Sequence, residues 1–209
     1  MRLYFKPGAC SLSARITMTE IGLSFESEAV DTAQGKTASG ADYRAINPRG
    51  YVPALEIAPG TVITENPAIL QYLADTNPQA KLAPPAGTLD RARLQEWLNF
   101  TSSELHKTFS PFFGGRTLED DDKARAEAAL VRRIGDVEAA LADGRPFILG
   151  EAFSVADAYL FVVLNWTKFI GVDLGRWPHV QAYHGRLAKR PSVRAAMQAE
   201  GLIPADAAA

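Results

Sequence analysis

Asn47-Pro48-Arg49-Gly50-Tyr51-Val52-Pro53-Ala54-Leu55-Glu56-Ile57-Ala58-Pro59-Gly60-Thr61-Val62-Ile63-Thr64-Glu65-Asn66-Pro67-Ala68-Ile69-Leu70 packs two strands, a tight turn and a helix start into one stretch. Residues 52–57 and 61–63 are aliphatic and β-branched, and Ala58-Pro59-Gly60 between them is a Pro-Gly turn at hairpin spacing. They predict two antiparallel strands. A helix over 66–75 follows at once, with Pro67 in its first turn, where a missing N–H costs nothing.

Working outward towards the N-terminus, Leu3-Tyr4-Phe5 is a short apolar run ended by Pro7-Gly8, and residues 11–21 have helical composition up to a stop at Gly22. Residues 25–30 alternate imperfectly at period two, residues 31–40 are a polar loop, and a short segment surrounds Tyr43 and Ile46. The order is therefore βαβ, a short helix, then ββα. Residues 76–88 carry Pro78, Pro84, Pro85 and Gly87 without periodicity, as an interdomain linker does. Everything beyond reads as helix. Leu130, Ile134, Val137 and Leu141 keep amphipathic spacing, whereas residues 157–169 are apolar nearly all round, the pattern of a central bundle helix. Ser154 precedes that helix with Asp157 three residues on, a variant capping box. Two shorter helices, 177–190 and 191–200, close the chain. The expected domains are 1–77, an α/β unit, and 88–209, all-α, joined by linker 78–87.

Composition narrows the function classes. Hydrophobic residues are 47% and charged residues 22% of the 209, ordinary globular values. Lys plus Arg is 22 against 24 Asp plus Glu, so no positive excess is present to track a phosphate backbone, and nucleic acid is not an expected partner. The longest apolar run, residues 158–164, is far short of the ~20 needed to cross a bilayer. The N-terminus lacks the apolar core of a secretory signal, so a cytoplasmic location without membrane partners is expected. The chain has one cysteine, which excludes an intrachain disulfide and any zinc site built on several thiolates; no metal is expected.

That residue, Cys10, falls between the first strand and the first helix. Helix N–H groups and the positive end of the dipole stabilise a thiolate there. Two readings stand: a working thiol, or a small buried hydrophobe. Val52-Pro53 likewise reads either as an edge-strand proline or as a cis bond that turns a backbone N–H and C=O outward to an extended peptide ligand. Glu65-Asn66 at a helix start suits an amino-acid zwitterion, or else plain capping. His179 and His184 have no ligand-spaced companions and read as structural.

Four stretches together resemble the cytosolic glutathione transferases, and the cysteine points to the bacterial beta class. They are Pro7-Gly8-Ala9-Cys10-Ser11, residues 47–55, residues 64–75 and Phe153-Ser154-Val155-Ala156-Asp157-Ala158-Tyr159-Leu160-Phe161. The resemblance covers nearly the whole chain. It implies a thioredoxin-like glutathione-binding domain, an all-helical domain with an electrophile site, and a homodimer. It implies that Val52, beside a cis Pro53, pairs with the cysteinyl part of glutathione, while Glu65 and Asn66 hold its γ-glutamyl end. Cys10 would face the glutathione sulfur, with Ser11 and His106 as further hydrogen-bonding groups for thiolate formation. Asn99, Ser103, His106 and Lys107 match the family's Asn-x-x-x-Ser-Glu-x-His-Lys segment, and their spacing places them on one helix face. Phe109, Phe112, Phe113 and Trp166 are candidates to line the electrophile pocket. Two departures stand out: the family's usual lysine is Gly35 here, leaving Lys36 as the expected cation for the glycyl carboxylate, and the usual Ser or Gly after the acid is Asn66. The activity implied is conjugation of glutathione, as co-substrate, to small apolar electrophiles. The alternatives are glutathione-dependent thiol–disulfide exchange through Cys10 and non-catalytic ligand binding on the same fold.

Overall fold

The structure, a computed structural model, describes residues 1–115 and 117–205. Strand β1 (Arg2–Phe5) leads through a tight turn into α1 (Ser11–Ile21), then β2 (Glu26–Asp31), β3 (Lys36–Thr37), α2 (Tyr43–Ile46), β4 (Ala54–Ala58), β5 (Thr61–Thr64) and α3 (Asn66–Asp75). The sheet order is β3-β2-β1-β4-β5, with β1 and β2 parallel and the other neighbours antiparallel. The quoted ββα stretch thus folds as its pattern dictates. Leu55 lies opposite Leu3 on one side and Ile63 on the other, and both leucines are fully buried. α1 and α3 pack together and contribute Leu12, Ile16, Ile69, Leu70 and Leu73 to the core. α1 stops at Gly22 in the left-handed conformation (φ 80°), which lets its N–H close the last turn on Met18 and Thr19. One element was hidden in the sequence: the polar stretch 31–40 contains the two-residue edge strand β3, too short to show alternation.

The remainder is helical: α4 (Leu89–Asn99), a π-helical segment (Phe100–Leu105), α5 (His106–Thr108), α6 (Ser110–Phe113), α7 (Asp120–Ala140), α8 (Val155–Asn165), α9 (Pro178–Ala188) and α10 (Pro191–Ala199). Every residue of α8 is buried, as its all-round apolar composition requires. The Asp157 carboxylate accepts from the Ser154 N–H (2.8 Å) and hydroxyl (2.7 Å), from the Ile148 N–H (2.8 Å) and from the Tyr183 hydroxyl (2.8 Å). Burial nevertheless pushes the Asp157 carboxyl above its ordinary value, against the pull of those four donors.

The chain divides into two compact units that differ from the expected ranges. One comprises Met1–Ala83 together with the chain from Lys189 onward, the other Pro84–Ala188. α10 therefore joins the α/β unit, not the helical domain expected over 88–209. It buries Val193, Ala196 and Met197 and packs on α1. Glu20 on α1 fixes its start, accepting from Arg190 Nε (2.8 Å) and from the Ser192 hydroxyl. Among the described residues no helix is long and apolar enough to cross a membrane.

Candidate functional site

In the α/β unit the site is built on the turn between β1 and α1. Ala9 N–H donates to the Lys6 carbonyl (3.0 Å), and the Ser11 hydroxyl accepts from the Lys6 N–H (3.2 Å) and donates back to its carbonyl (3.3 Å). Cys10 occupies the N-cap of α1, half-buried, with no acidic side chain in the first turn to oppose an anion there. Its thiol donates to the Val52 carbonyl at 3.3 Å. The Val52-Pro53 peptide is cis. Cys10, Val52 and Pro53 are therefore brought together. Ser11 is fully buried and its hydroxyl is committed to Lys6, so its side chain shapes the turn.

The loop that delivers Val52 is clamped from below. The Tyr43 hydroxyl (2.8 Å) and Asn47 Nδ2 (2.7 Å) both donate to the Tyr51 carbonyl. Tyr43 is fully buried, and that burial pushes its phenol up to about 12, only partly offset by the hydrogen bond from Asn47. It stays a donor at any physiological pH.

Glu65 and Asn66 behave differently from each other. Glu65 is exposed, is the N-cap of α3 without a side-chain cap bond, and adopts φ 66°, ψ 113°. A positive φ in a non-glycine residue costs about 1–3 kcal/mol and gathers at ligand sites. The Glu65 carboxylate makes no cap hydrogen bond to α3. Asn66, in contrast, is buried, and its Nδ2 donates to Ser13 Oγ at 2.8 Å. Ser13 Oγ lies 2.7 Å from the Cys10 carbonyl. The Asn66 amide is thus turned inward, where it braces the start of α1.

Lys36 lies exposed on β3 and not in a loop. The cation beside position 35 is Arg44: a Cβ built on Gly35 would lie 3.6 Å from Arg44 Nε, and one on Gly50 would lie 3.9 Å from it. Both glycines have positive φ (66° and 72°), so the absence of side chains there gives Arg44 its place. Ser13, Tyr43, Arg44 and Asn47 went unread in the sequence. Only Asn47 carried a local signal, an Asn-Pro turn in which its Oδ1 accepts from the Arg49 N–H (3.2 Å).

In the helical unit, the segment holding the predicted residues is not a plain α-helix. A π-helical stretch over Phe100–Leu105 interrupts it, and the Asn99 carbonyl accepts from the Ser102 (3.1 Å) and Ser103 (2.8 Å) hydroxyls. Such segments recur at functional sites. Asn99, Ser103 and Lys107 are exposed, while His106 is half-buried. His106 Nδ1 lies 2.8 Å from the Tyr159 hydroxyl, and its ring meets the Trp166 ring edge-on at 4.6 Å. Burial, with the Lys107 charge adding to it, lowers His106 to about 4, so the ring is neutral at pH 7. Of the four expected pocket aromatics, Phe109 (0% exposed) and Trp166 (6%) are core residues. Phe113, 50% exposed, stacks on Phe109 at 6.2 Å and meets Trp166 edge-on, so it carries that aromatic cluster to the surface; Phe112 is half-buried. His179 is exposed, and His184 is buried against Phe161.

Comparison with known proteins follows the same division. Residues 8–76 match the family model described as glutathione S-transferase, N-terminal domain, and residues 120–186 match glutathione S-transferase, C-terminal domain. The glutathione S-transferase GstA of Escherichia coli O157:H7 is 43% identical over 97% of this chain and 100% of its own. Among solved structures, a sphingomonad glutathione S-transferase complexed with glutathione is 46% identical (TM-score 0.91, 97% of this chain and 100% of that one). A bacterial beta class glutathione S-transferase of Sphingomonas chungbukensis is also 46% identical (TM-score 0.92, with the same coverage). With both family models matched in order along a chain that folds as a five-stranded mixed sheet and a set of helices, this protein belongs to the glutathione S-transferase family, in its bacterial beta class.

Proposed function

We propose that this protein binds glutathione on its α/β unit and transfers it to small apolar electrophiles. The observation that carries this reading is the contact of the chain's sole thiol, at the start of α1, with the Val52 carbonyl, which accepts its hydrogen bond; an exposed Glu65 at positive φ on the same unit supports it. Val52 would pair with the cysteinyl backbone and Glu65 with the γ-glutamyl ammonium. The glycyl carboxylate goes to Arg44 in preference to Lys36, because Arg44 fills the space that Gly35 leaves. The glutathione sulfur loses its proton to solvent, attacks the electrophilic carbon as thiolate, and forms a thioether as the leaving group departs with its electron pair. The protein's contribution is to position the peptide and to favour the anionic sulfur through N–H donors at the start of α1. In the helical unit His106 is a neutral imidazole, and in the tautomer whose Nδ1 accepts from the Tyr159 hydroxyl its other nitrogen is a hydrogen-bond donor. Within the helical unit, Asn99, Ser103 and Lys107 are exposed polar groups, and Phe113 offers an exposed apolar surface for the electrophile. The same reading makes the protein a cytoplasmic homodimer.

Conjugation of glutathione to a chloronitrobenzene tests this. Turnover with saturable glutathione dependence supports it, and no turnover together with no glutathione affinity refutes it. Direct contact between Cys10 and the Val52 backbone favours a second activity, thiol–disulfide exchange through a Cys10–glutathione adduct, since a lone thiol must take its second sulfur from the ligand. Cys10→Ala separates the two: exchange disappears and conjugation persists in part.

A further inference from the structure

The turn that carries Cys10 is held from the distant end of the sequence. The Gly8 N–H, two residues before the thiol, donates to Glu200 Oε2 at 2.9 Å. Glu200 Oε1 accepts from Arg15 Nε at 3.0 Å, and both side chains are shielded from solvent (0% and 7% exposed). Arg15 is itself fixed, with its guanidinium 4.4 Å from the centre of the Phe5 ring and its Nη2 buried without a hydrogen-bond partner. Beside this pair, the space next to Gly8 is walled by Leu202, whose Cδ2 lies 3.4 Å from where a Cβ on Gly8 would be. Gly8 adopts φ 72°, so its backbone is shaped to meet these two contacts.

A buried ion pair is a poor source of stability, since a well-packed apolar replacement is often equal or better. What this one supplies is an acceptor at a fixed point. Burial pushes the Glu200 carboxyl above its ordinary value, and only Gly8 and Arg15 pull against it. Those two partners hold the carboxylate in one orientation, and a carboxylate so oriented leaves Gly8 a single place to be.

We propose that Glu200 is a positioning residue for the Cys10 thiol, fixing turn 7–10, with Leu202 at its side, so that the sulfur meets the Val52 carbonyl. The proposal rests on reading Cys10 as the working thiol of a glutathione enzyme, yet its test needs no turnover. Because Cys10 is the only cysteine, alkylation of the folded protein by iodoacetamide reports one sulfur. In Glu200→Gln and in Leu202→Ala the turn loosens, and the protonated thiol loses the acceptor that favours it. Alkylation near neutral pH is then expected to rise about threefold, with the pH profile displaced downward by about half a unit. Met197→Ala, which removes a buried side chain from α10 and leaves the carboxylate in place, should keep the wild-type profile even where it lowers Tm as much. If Glu200→Gln fails to fold around an unpaired Arg15, the uncharged change at Leu202 decides. Profiles of both variants that superimpose on wild type overturn the proposal. So does a shift in Glu200→Gln without one in Leu202→Ala, which is a charge effect alone, or an equal shift in Met197→Ala. Absence of both turnover and glutathione affinity in the wild type would refute the functional reading and leave this comparison intact.

Discussion

His184 gives the most direct test of the electrostatics of the helical unit. Its ring stacks on Phe161 (centroids 4.8 Å apart, 17° between planes), and its Nε2 is buried without a hydrogen-bond partner. Burial, with the Lys168 charge acting the same way, lowers it from 6.5 to about 4. The unfolded chain therefore takes up a proton on this residue that the folded chain refuses, and stability present above pH 6.5 is lost as pH falls towards 4. Between pH 7 and pH 5 the loss from this one residue is about 2 kcal/mol, obtained from those two values by linkage. For a chain of this size that is about 4–8 °C in Tm. His106, lowered to the same level, adds a similar loss. His184→Phe keeps a ring against Phe161 and replaces the partnerless nitrogen by C–H, so at pH 7 it should be at least as stable as wild type. The assay is thermal unfolding at pH 7 and pH 5 followed by tryptophan emission, which reports on the helical unit alone because Trp97, Trp166 and Trp177 all lie in Pro84–Ala188. The variant should lose about half as much Tm as wild type through the histidine contribution. Equal losses in the two proteins would show that His184 is not held neutral, and the reasoning would fail.

Arg44→Ala should raise KM for glutathione about tenfold with kcat nearly kept, the size of one charged hydrogen bond lost from a bound carboxylate; steady-state kinetics showing that Lys36→Ala does this instead would refute the assignment. Ser154→Ala removes a hydroxyl that Asp157 holds at 2.7 Å and should lower helical-unit stability by about 1 kcal/mol, read as a fall of about 2–4 °C in Tm. Asp157→Ala should cost several times more, because the Ile148 N–H and Tyr183 hydroxyl lose their buried acceptor with it; a change within about 1 °C would contradict that network. Cys10→Ala should abolish iodoacetamide incorporation entirely, checked by intact mass, and leave partial conjugation.

Much of the molecule is written locally. The strand–turn–strand–helix order follows from apolar runs and from Pro and Gly at turn positions, and the Ser154–Asp157 pairing follows from spacing along a single helix start. Cys10 at a helix N-terminus is equally local. What could not be read depends on partners distant in sequence. Val193, Ala196 and Met197 announce that α10 has a buried face, but a periodicity says nothing about which unit receives it. Asn66 reads as a ligand group until Ser13, 53 residues away, is found to occupy its amide. The spacing of Asn99, Ser103 and Lys107 survives, while the π-helical turn beneath it shows in no composition. Phe109 and Phe113 are four apart and chemically identical, and both meet Trp166 at α8's end, yet one is core and the other half exposed, a difference their spacing does not carry.

The return of residues 189 onward to the first unit means that this unit is discontinuous in the chain, whereas Pro84–Ala188 is not. During synthesis the helical unit has all of its residues available before the α/β unit does, since the partners of Glu20, Gly8 and Arg15 follow that unit in the chain. The α/β unit begins before the helical one and is completed after it. A nascent or truncated chain ending before α10 would display the apolar flank of α1 to its surroundings, so termination ahead of α10 yields a sticky product, not a slightly shortened one.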